Sequence, residues 1–184
     1  MPGHQSRTTL HMRGHPENSR EQALVGGPEG FRRLVEEVAA IYEWIEARKQ
    51  QDPARAGRCQ ACGACCDFAA YEHRLFVTPP ELVFLAARLG ARELRQMTDG
   101  RCPYQQGAAC TVHEQRFAGC RIFGCGGNPE SQSEWSEEAL RRLKALCEEF
   151  GVPYRYQDLA AALAEFRTDT CRSAAEPCPG DGAG

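Results

Sequence analysis

Cys59-Gln60-Ala61-Cys62-Gly63-Ala64-Cys65-Cys66 places four thiols in eight residues, and a second group, Cys102, Cys110, Cys120 and Cys125, follows. A C-x-x-C knuckle lets two thiolates converge on one ion, because the intervening residues turn back and point their amides at the sulfurs. Cys59 with Cys62 is one such pair, and Cys62 with Cys65 is another. Gly63 removes side-chain bulk at the tightest point and can take positive φ. Cys66 differs, because adjacent side chains diverge, so Cys65 and Cys66 are expected to face different surroundings. The eight thiols suffice for two four-thiolate centres, or for one centre with the rest structural or redox-active.

The donor set suits two chemistries. Tetrahedral thiolate sites hold zinc or iron-sulfur clusters. Roughly 35 residues separate the two groups, longer than most zinc-finger spacings. The C-x2-C-x2-C run at 59–65 matches the start of a bacterial ferredoxin motif, and Pro103 follows Cys102, yet the motif's fourth local cysteine is absent. The cofactor expected is therefore zinc or iron, the latter including a [4Fe-4S] cluster.

Composition narrows the setting. The chain has 184 residues, a formal charge of -3 and a pI near 6.0, with no overall basic balance to draw it to phosphate backbones or anionic lipid. No apolar run approaches the ~18 residues needed to span a bilayer, and the N-terminus has no signal-like stretch. The expected partners are a metal ion and an unidentified protein, with no nucleic acid and no membrane. The expected compartment is the cytoplasm, where thiols stay reduced, so eleven cysteines argue for metal or redox chemistry over disulfides.

The pattern along the chain predicts a mainly α fold with a short β-hairpin, a small cysteine-rich metal-binding domain. Residues 1–28, with His4, His11 and His15, read as a disordered leader. Phe31, Leu34, Val35, Val38, Ile41, Tyr42 and Ile45 form one helical stripe over 29–49, with Arg32–Glu36 and Arg33–Glu37 pairs opposite. Tyr42 and Trp44 read as core. His73–Val77 alternates like a short strand. Thr78, Pro79 and Glu81 then spell a helix start, with Leu82, Leu85, Ala86 and Leu89 as its apolar side. A second helical stretch is expected over 91–97. Cys102-Pro103-Tyr104 and Cys110-Thr111-Val112 bracket a Gly-containing loop suited to a hairpin. His113–Phe117 reads as a helical turn. A helix over 134–150 buries Trp135, Ala139, Leu143, Leu146, Cys147 and Phe150, with Cys147 a structural thiol and with Glu137–Arg141 and Glu138–Arg142 pairs on its polar side. A last helix is expected over 157–166. Residues 29–167 are thus one domain with its metal core at 59–125, and 168–184, with Cys171 and Cys178, a disordered tail.

The combination Cys59-x2-Cys62-Gly63-x-Cys65-Cys66, Arg101-Cys102-Pro103-Tyr104, Cys110-x-Val112-His113-Glu114, Arg116 and Cys120-Arg121-x-Phe123-x-Cys125 resembles the YkgJ-type cysteine-cluster family. That family is described as a zinc- or iron-chelating domain and is related to the flagellin lysine methylase group. The resemblance spans about 59–125 and implies metal binding without a secure activity. It departs where the family usually has Tyr-Glu and Arg-Pro, since here His113-Glu114 and Arg116-Phe117 stand. The missing proline is expected to loosen that turn, and His113 reads as a surface residue.

Three functions compete. The first is a metal-binding module with one or two thiolate centres. The second is an iron-sulfur redox or methyl-transfer accessory protein, although no Gly-rich cofactor loop or catalytic domain accompanies it. The third is a thiol switch at Cys65 and Cys66, or at Cys171 and Cys178. Glu72, His73, Glu81, His113 and Glu114 lie near the cluster but read as solvated, and no catalytic constellation emerges.

Overall fold

A computed structural model describes residues 25–60, 62–90 and 94–173, with side chains through 166. The predicted leader up to residue 24, Ala91–Glu93, and the tail beyond Ser173 with Cys178 lie outside the described residues, as does the side chain of Cys171.

Helix α1 (Gly27–Gln51) opens where Gly26 turns left-handed at φ 82° and Pro28 presets the first turn. It buries the stripe Phe31, Leu34, Val38, Ile41, Tyr42 and Ile45, as periodicity requires. Val25, assigned to the leader by composition, is also buried and joins this core. The expected Arg33–Glu37 pair gives way to a longer reach: Arg33 bonds Glu149 at 2.8 Å, tying α1 to the end of another helix. Trp44 is only half-buried, with Arg142 and Arg48 over its ring. A one-turn helix, α2 (Pro53–Ala56), follows on an Asp52 cap.

After the first cysteine group the expected strand shrinks to β1 (Phe76–Val77). It pairs antiparallel with β4 (Gln157–Asp158), residues the pattern had given to the last helix. Asp158 explains the later start, because its Oδ1 accepts from Ala160 N at 3.0 Å and so caps helix α6 (Leu159–Ser173), which begins two residues after the predicted position. The α6 backbone continues past the predicted end at 166.

Helix α3 (Pro79–Leu89) is buried almost throughout rather than on one side, since it lies between two apolar clusters. Val83 and Phe84 enter the cluster built by α1 and α5 (Pro129–Glu149). Leu82, Leu85 and Ala86 enter a second, with Tyr104, Val112, Phe117, Leu159 and Leu163. Leu94–Met97 is not helical, and Leu94 plugs that second cluster from an irregular segment.

The predicted hairpin forms, but tighter than its flanking cysteines suggested. Strand β2 (Gln105–Gln106) pairs with β3 (Ala109–Cys110) in register Gln105↔Cys110, around a loop in which Gly107 takes φ 59°. A 3-10 turn (His113–Gln115) leads to the short helix α4 (Ala118–Ile122), which carries Cys120. Helix α5 begins at Pro129 rather than near 134, because Asn128 caps it by accepting from Ser131 N at 2.8 Å. Its apolar face is as expected, with Cys147 buried, and Arg141 joins Arg142 on Glu138 in place of Glu137.

Glu81 departs most from expectation. It completes the predicted capping box with Thr78, but it is only 2% exposed and does more. Its Oε2 accepts from Thr78 N and Thr78 Oγ, each at 2.9 Å. Its Oε1 accepts from Ala118 N at 2.8 Å and from the Tyr42 hydroxyl at 3.4 Å. Burial pushes this carboxyl above its usual range, against the pull of the Ala118 and Thr78 amides. Glu81→Ala strands these donors in the core and is expected to cost roughly 2–4 kcal/mol. Glu81→Gln, which keeps one oxygen, is expected to cost less, with urea unfolding followed by circular dichroism as the measurement.

Candidate metal centre

The two cysteine groups are brought together by the main chain. Cys59 leaves a close crossing of 56–58 over 124–127, where Arg58 N donates to Cys125 O at 3.1 Å and Asn128 N to Arg55 O at 2.8 Å. Glycine permits this approach: a Cβ on Gly57, at φ 68°, would stand 2.7 Å from Cys125 O and 2.6 Å from Gly127 N. At the other end of the first group Cys102 N donates to Cys66 O at 2.7 Å, beside an antiparallel bridge between Asp67 and Arg101. The Arg101 guanidinium reaches Asp67 at 2.7 Å across that bridge. Between these clamps Gly63, at φ 72°, sits under the hairpin, and Gln105 Nε2 donates to Gly63 O and Gly107 O, each at 3.1 Å. Gln105 was not among the residues singled out by sequence, because nothing local marks a glutamine as a tie between distant loops.

The thiols themselves form a chain. A 3-10 turn (Ala64–Cys66) holds Cys65 and Cys66 so that the Cys65 thiol donates to Cys66 sulfur and the Cys66 thiol to Cys102. The expected divergence of Cys65 and Cys66 is therefore incomplete, since the tight turn keeps neighbouring side chains in reach. Cys102 accepts from the Tyr104 amide and Cys110 from the Val112 amide, the N–H to sulfur arrangement that knuckles use to support thiolates. Charge coupling links Cys65 to Cys59 and Cys125, Cys66 to Cys62, and Cys120 to Cys65, Cys66 and Cys110. All eight candidate cysteines thus belong to one electrostatically connected set.

Desolvation by the protein packed around the sulfurs and the neighbouring thiols push Cys65 up to about 11, and the same desolvation raises Cys110 and Cys120. The Cys102 hydrogen bond raises Cys66, and the same bond lowers Cys102. Clustered thiols resist becoming clustered anions unless a cation accompanies them. Cys59, Cys62, Cys65, Cys120 and Cys125 are exposed, and Cys66, Cys102 and Cys110 half-buried. Among the described residues no three His, Cys, Asp or Glu side chains already surround a common point closely enough to hold an ion. Soft sulfur donors in this number fit zinc or iron.

A buried polar network supports Cys120 from below. Arg121 lies over the Tyr42 ring at 4.3 Å and donates to Arg116 O at 2.9 Å, Glu114 O at 2.6 Å and Glu46 Oε1 at 3.2 Å. Arg116 adds a second bond to Glu46 at 3.1 Å and touches the His113 ring. Glu46 carries no local sequence signal of this role. Phe117 stands where the family's proline was expected, yet the turn is not left open. Its φ of -64° is one that proline would adopt, and its ring is 3% exposed, so burial replaces the pyrrolidine constraint. His113 and Glu114 are exposed, as are Glu72 and His73, the last with Nε2 3.2 Å from Cys65 O.

Residues 58–148 match a family model named CxxCxxCC and described as a "Putative zinc- or iron-chelating domain". The chain belongs to this cysteine-cluster family. No curated protein and no solved structure matches significantly. Among the described residues no helix is long and apolar enough to cross a membrane.

Two outcomes follow. Gly57→Ala drives a methyl into backbone at the Arg58–Cys125 crossing and should cost roughly 1–3 kcal/mol while loosening the hold on Cys125; denaturant unfolding and quantitative thiol labelling at Cys125 would register both. Partial burial tends to raise Glu46, but Lys49, Arg116 and Arg121 outweigh it and hold the carboxyl below its usual 4.5. The unfolded chain therefore binds this proton first as pH falls, so the Glu46 contribution is present above about pH 4.5 and lost as pH drops through the folded value. With chelator present, wild-type stability should decline more steeply below pH 4.5 than that of Glu46→Gln.

Proposed function

We propose that this protein chelates a thiophilic metal ion, zinc or iron, through thiolates drawn from Cys59, Cys62, Cys65, Cys66, Cys102, Cys110, Cys120 and Cys125. The observation that carries the reading is the pair of backbone clamps, Arg58 N to Cys125 O at 3.1 Å and Cys102 N to Cys66 O at 2.7 Å. They bring the ends of the first cysteine group against the second without spending a side-chain donor. A bound cation would stabilise thiolates that otherwise repel, so loading releases protons and adds to folding stability. Cys65 is coupled to Cys59 and Cys125, Cys66 to Cys62 and Cys102, and Cys65 and Cys66 to each other, so the set suits two centres or one that draws on both ends.

The exposed thiols suit exchange with a protein partner, and reduced cysteines suit the cytoplasm. The same sulfur set also suits a [4Fe-4S] cluster serving a redox or methyl-transfer partner. One preparation separates these readings. Anaerobically purified protein should carry stoichiometric zinc or iron by elemental analysis, colourless if zinc and brown with broad visible absorbance if a cluster. Protein holding neither metal, and unchanged in stability and free-thiol count when metal is added, would defeat the chelation reading. Cys59→Ser and Cys62→Ser should each lower metal content and thermal stability together, whereas Cys178→Ser should alter neither.

A further inference from the structure

The bridge between Asp67 and Arg101 sets a register in which Cys66 lies directly opposite Cys102. Cys102 N donates to Cys66 O at 2.7 Å, while Cys66 N turns back to Gly63 O at 3.0 Å, so one main-chain bond joins the pair. Residues facing each other in an antiparallel register stand about 4.5–5.5 Å apart at Cα, within the range of about 4.4–6.8 Å that a disulfide spans. The Arg101–Asp67 ion pair at 2.7 Å holds the register, and the two thiols already meet, Cys66 donating to Cys102. Cys65 also reaches Cys66, but a bond between adjacent residues closes a small ring through a planar peptide and is strained.

We propose that Cys66 and Cys102 form an intramolecular disulfide when the centre is empty and a hydroperoxide is present, which withdraws two of the eight candidate ligands and closes the site to metal. The second half of this proposal rests on the chelation reading. One thiol sulfur attacks the O–O bond of hydrogen peroxide, forming a sulfenic acid and releasing water. The facing thiol attacks that sulfur, the S–S bond forms, the S–O bond breaks and a second water leaves. Two thiols lose two protons and two electrons, and one peroxide becomes two waters.

The test uses the full chain. Metal-depleted protein is treated with one equivalent of hydrogen peroxide, its remaining thiols are alkylated, and the digest is mapped by mass spectrometry. The dominant cross-link should join the peptides of Cys66 and Cys102, and it should persist in Cys65→Ser. A dominant Cys65–Cys66 link, a scatter of links, no link, or loss of the link in Cys65→Ser would overturn the proposal. Zinc loaded beforehand should slow bridging at least tenfold, and zinc should appear in a metallochromic dye assay as the bridge forms. Bridging that leaves zinc bound would refute the coupling. Protein that forms the Cys66–Cys102 bridge yet never takes up zinc or iron would instead refute chelation, with the disulfide itself upheld.

Discussion

The Glu81 carboxylate is the constraint on which this structure turns. It begins as an ordinary capping-box acid on helix α3, bonding Thr78 N and Oγ at 2.9 Å. Its other oxygen reaches the first amide of α4 at 2.8 Å and the Tyr42 hydroxyl of α1 at 3.4 Å. One buried side chain thereby fixes three helices, and Cys120 rides on one of them. A charged group at 2% exposure is unfavourable by itself and is tolerated where its lone pairs are filled, which four donors achieve here. Arg121 and Glu46 extend the same logic outward, since each charge in that network meets an opposite charge or a carbonyl.

Above this support the candidate centre is organised by backbone rather than by side chains. Two main-chain hydrogen bonds close the first cysteine group against the second, and glycines at 57 and 63 let the chains approach. The thiols remain partly exposed, joined by hydrogen bonds and mutual charge coupling. The scaffold is thus set by main-chain hydrogen bonds, while five of the eight thiol residues keep access to solvent. It also leaves Cys66 and Cys102 facing each other, so that metal and oxidant would act on the same sulfurs.

Local signals in the sequence translated well. The α1 and α5 stripes, the Thr78–Glu81 cap and the buried Cys147 all depend on residues within a turn or two, and all appear, while the hairpin expected from 102–104 and 110–112 forms further in, at 105–106 and 109–110. Two helix starts shifted because of local caps, at Asn128 and Asp158. Other misreadings fell where a distant partner decided: Gln157-Asp158 pairs with Phe76-Val77. Arg33 preferred Glu149 on another helix. Glu81 looked solvated until Tyr42 and Ala118 closed over it. Phe117 kept a proline-like turn because a core was there to bury its ring.

The sequence by itself determined the class: eight thiols at knuckle spacing in a helical chain of low net charge, a zinc- or iron-chelating cysteine-cluster domain. Only the tertiary structure decided which thiols meet. Cys66 and Cys102 face one another because Asp67 and Arg101 pair in an isolated antiparallel bridge, and Cys59 approaches Cys125 because two glycine-bearing turns cross. Spacing along a chain governs contacts over a few residues, where backbone geometry is the only freedom. Contacts across tens of residues are set by register and close packing between segments, and these exist only once the chain has folded.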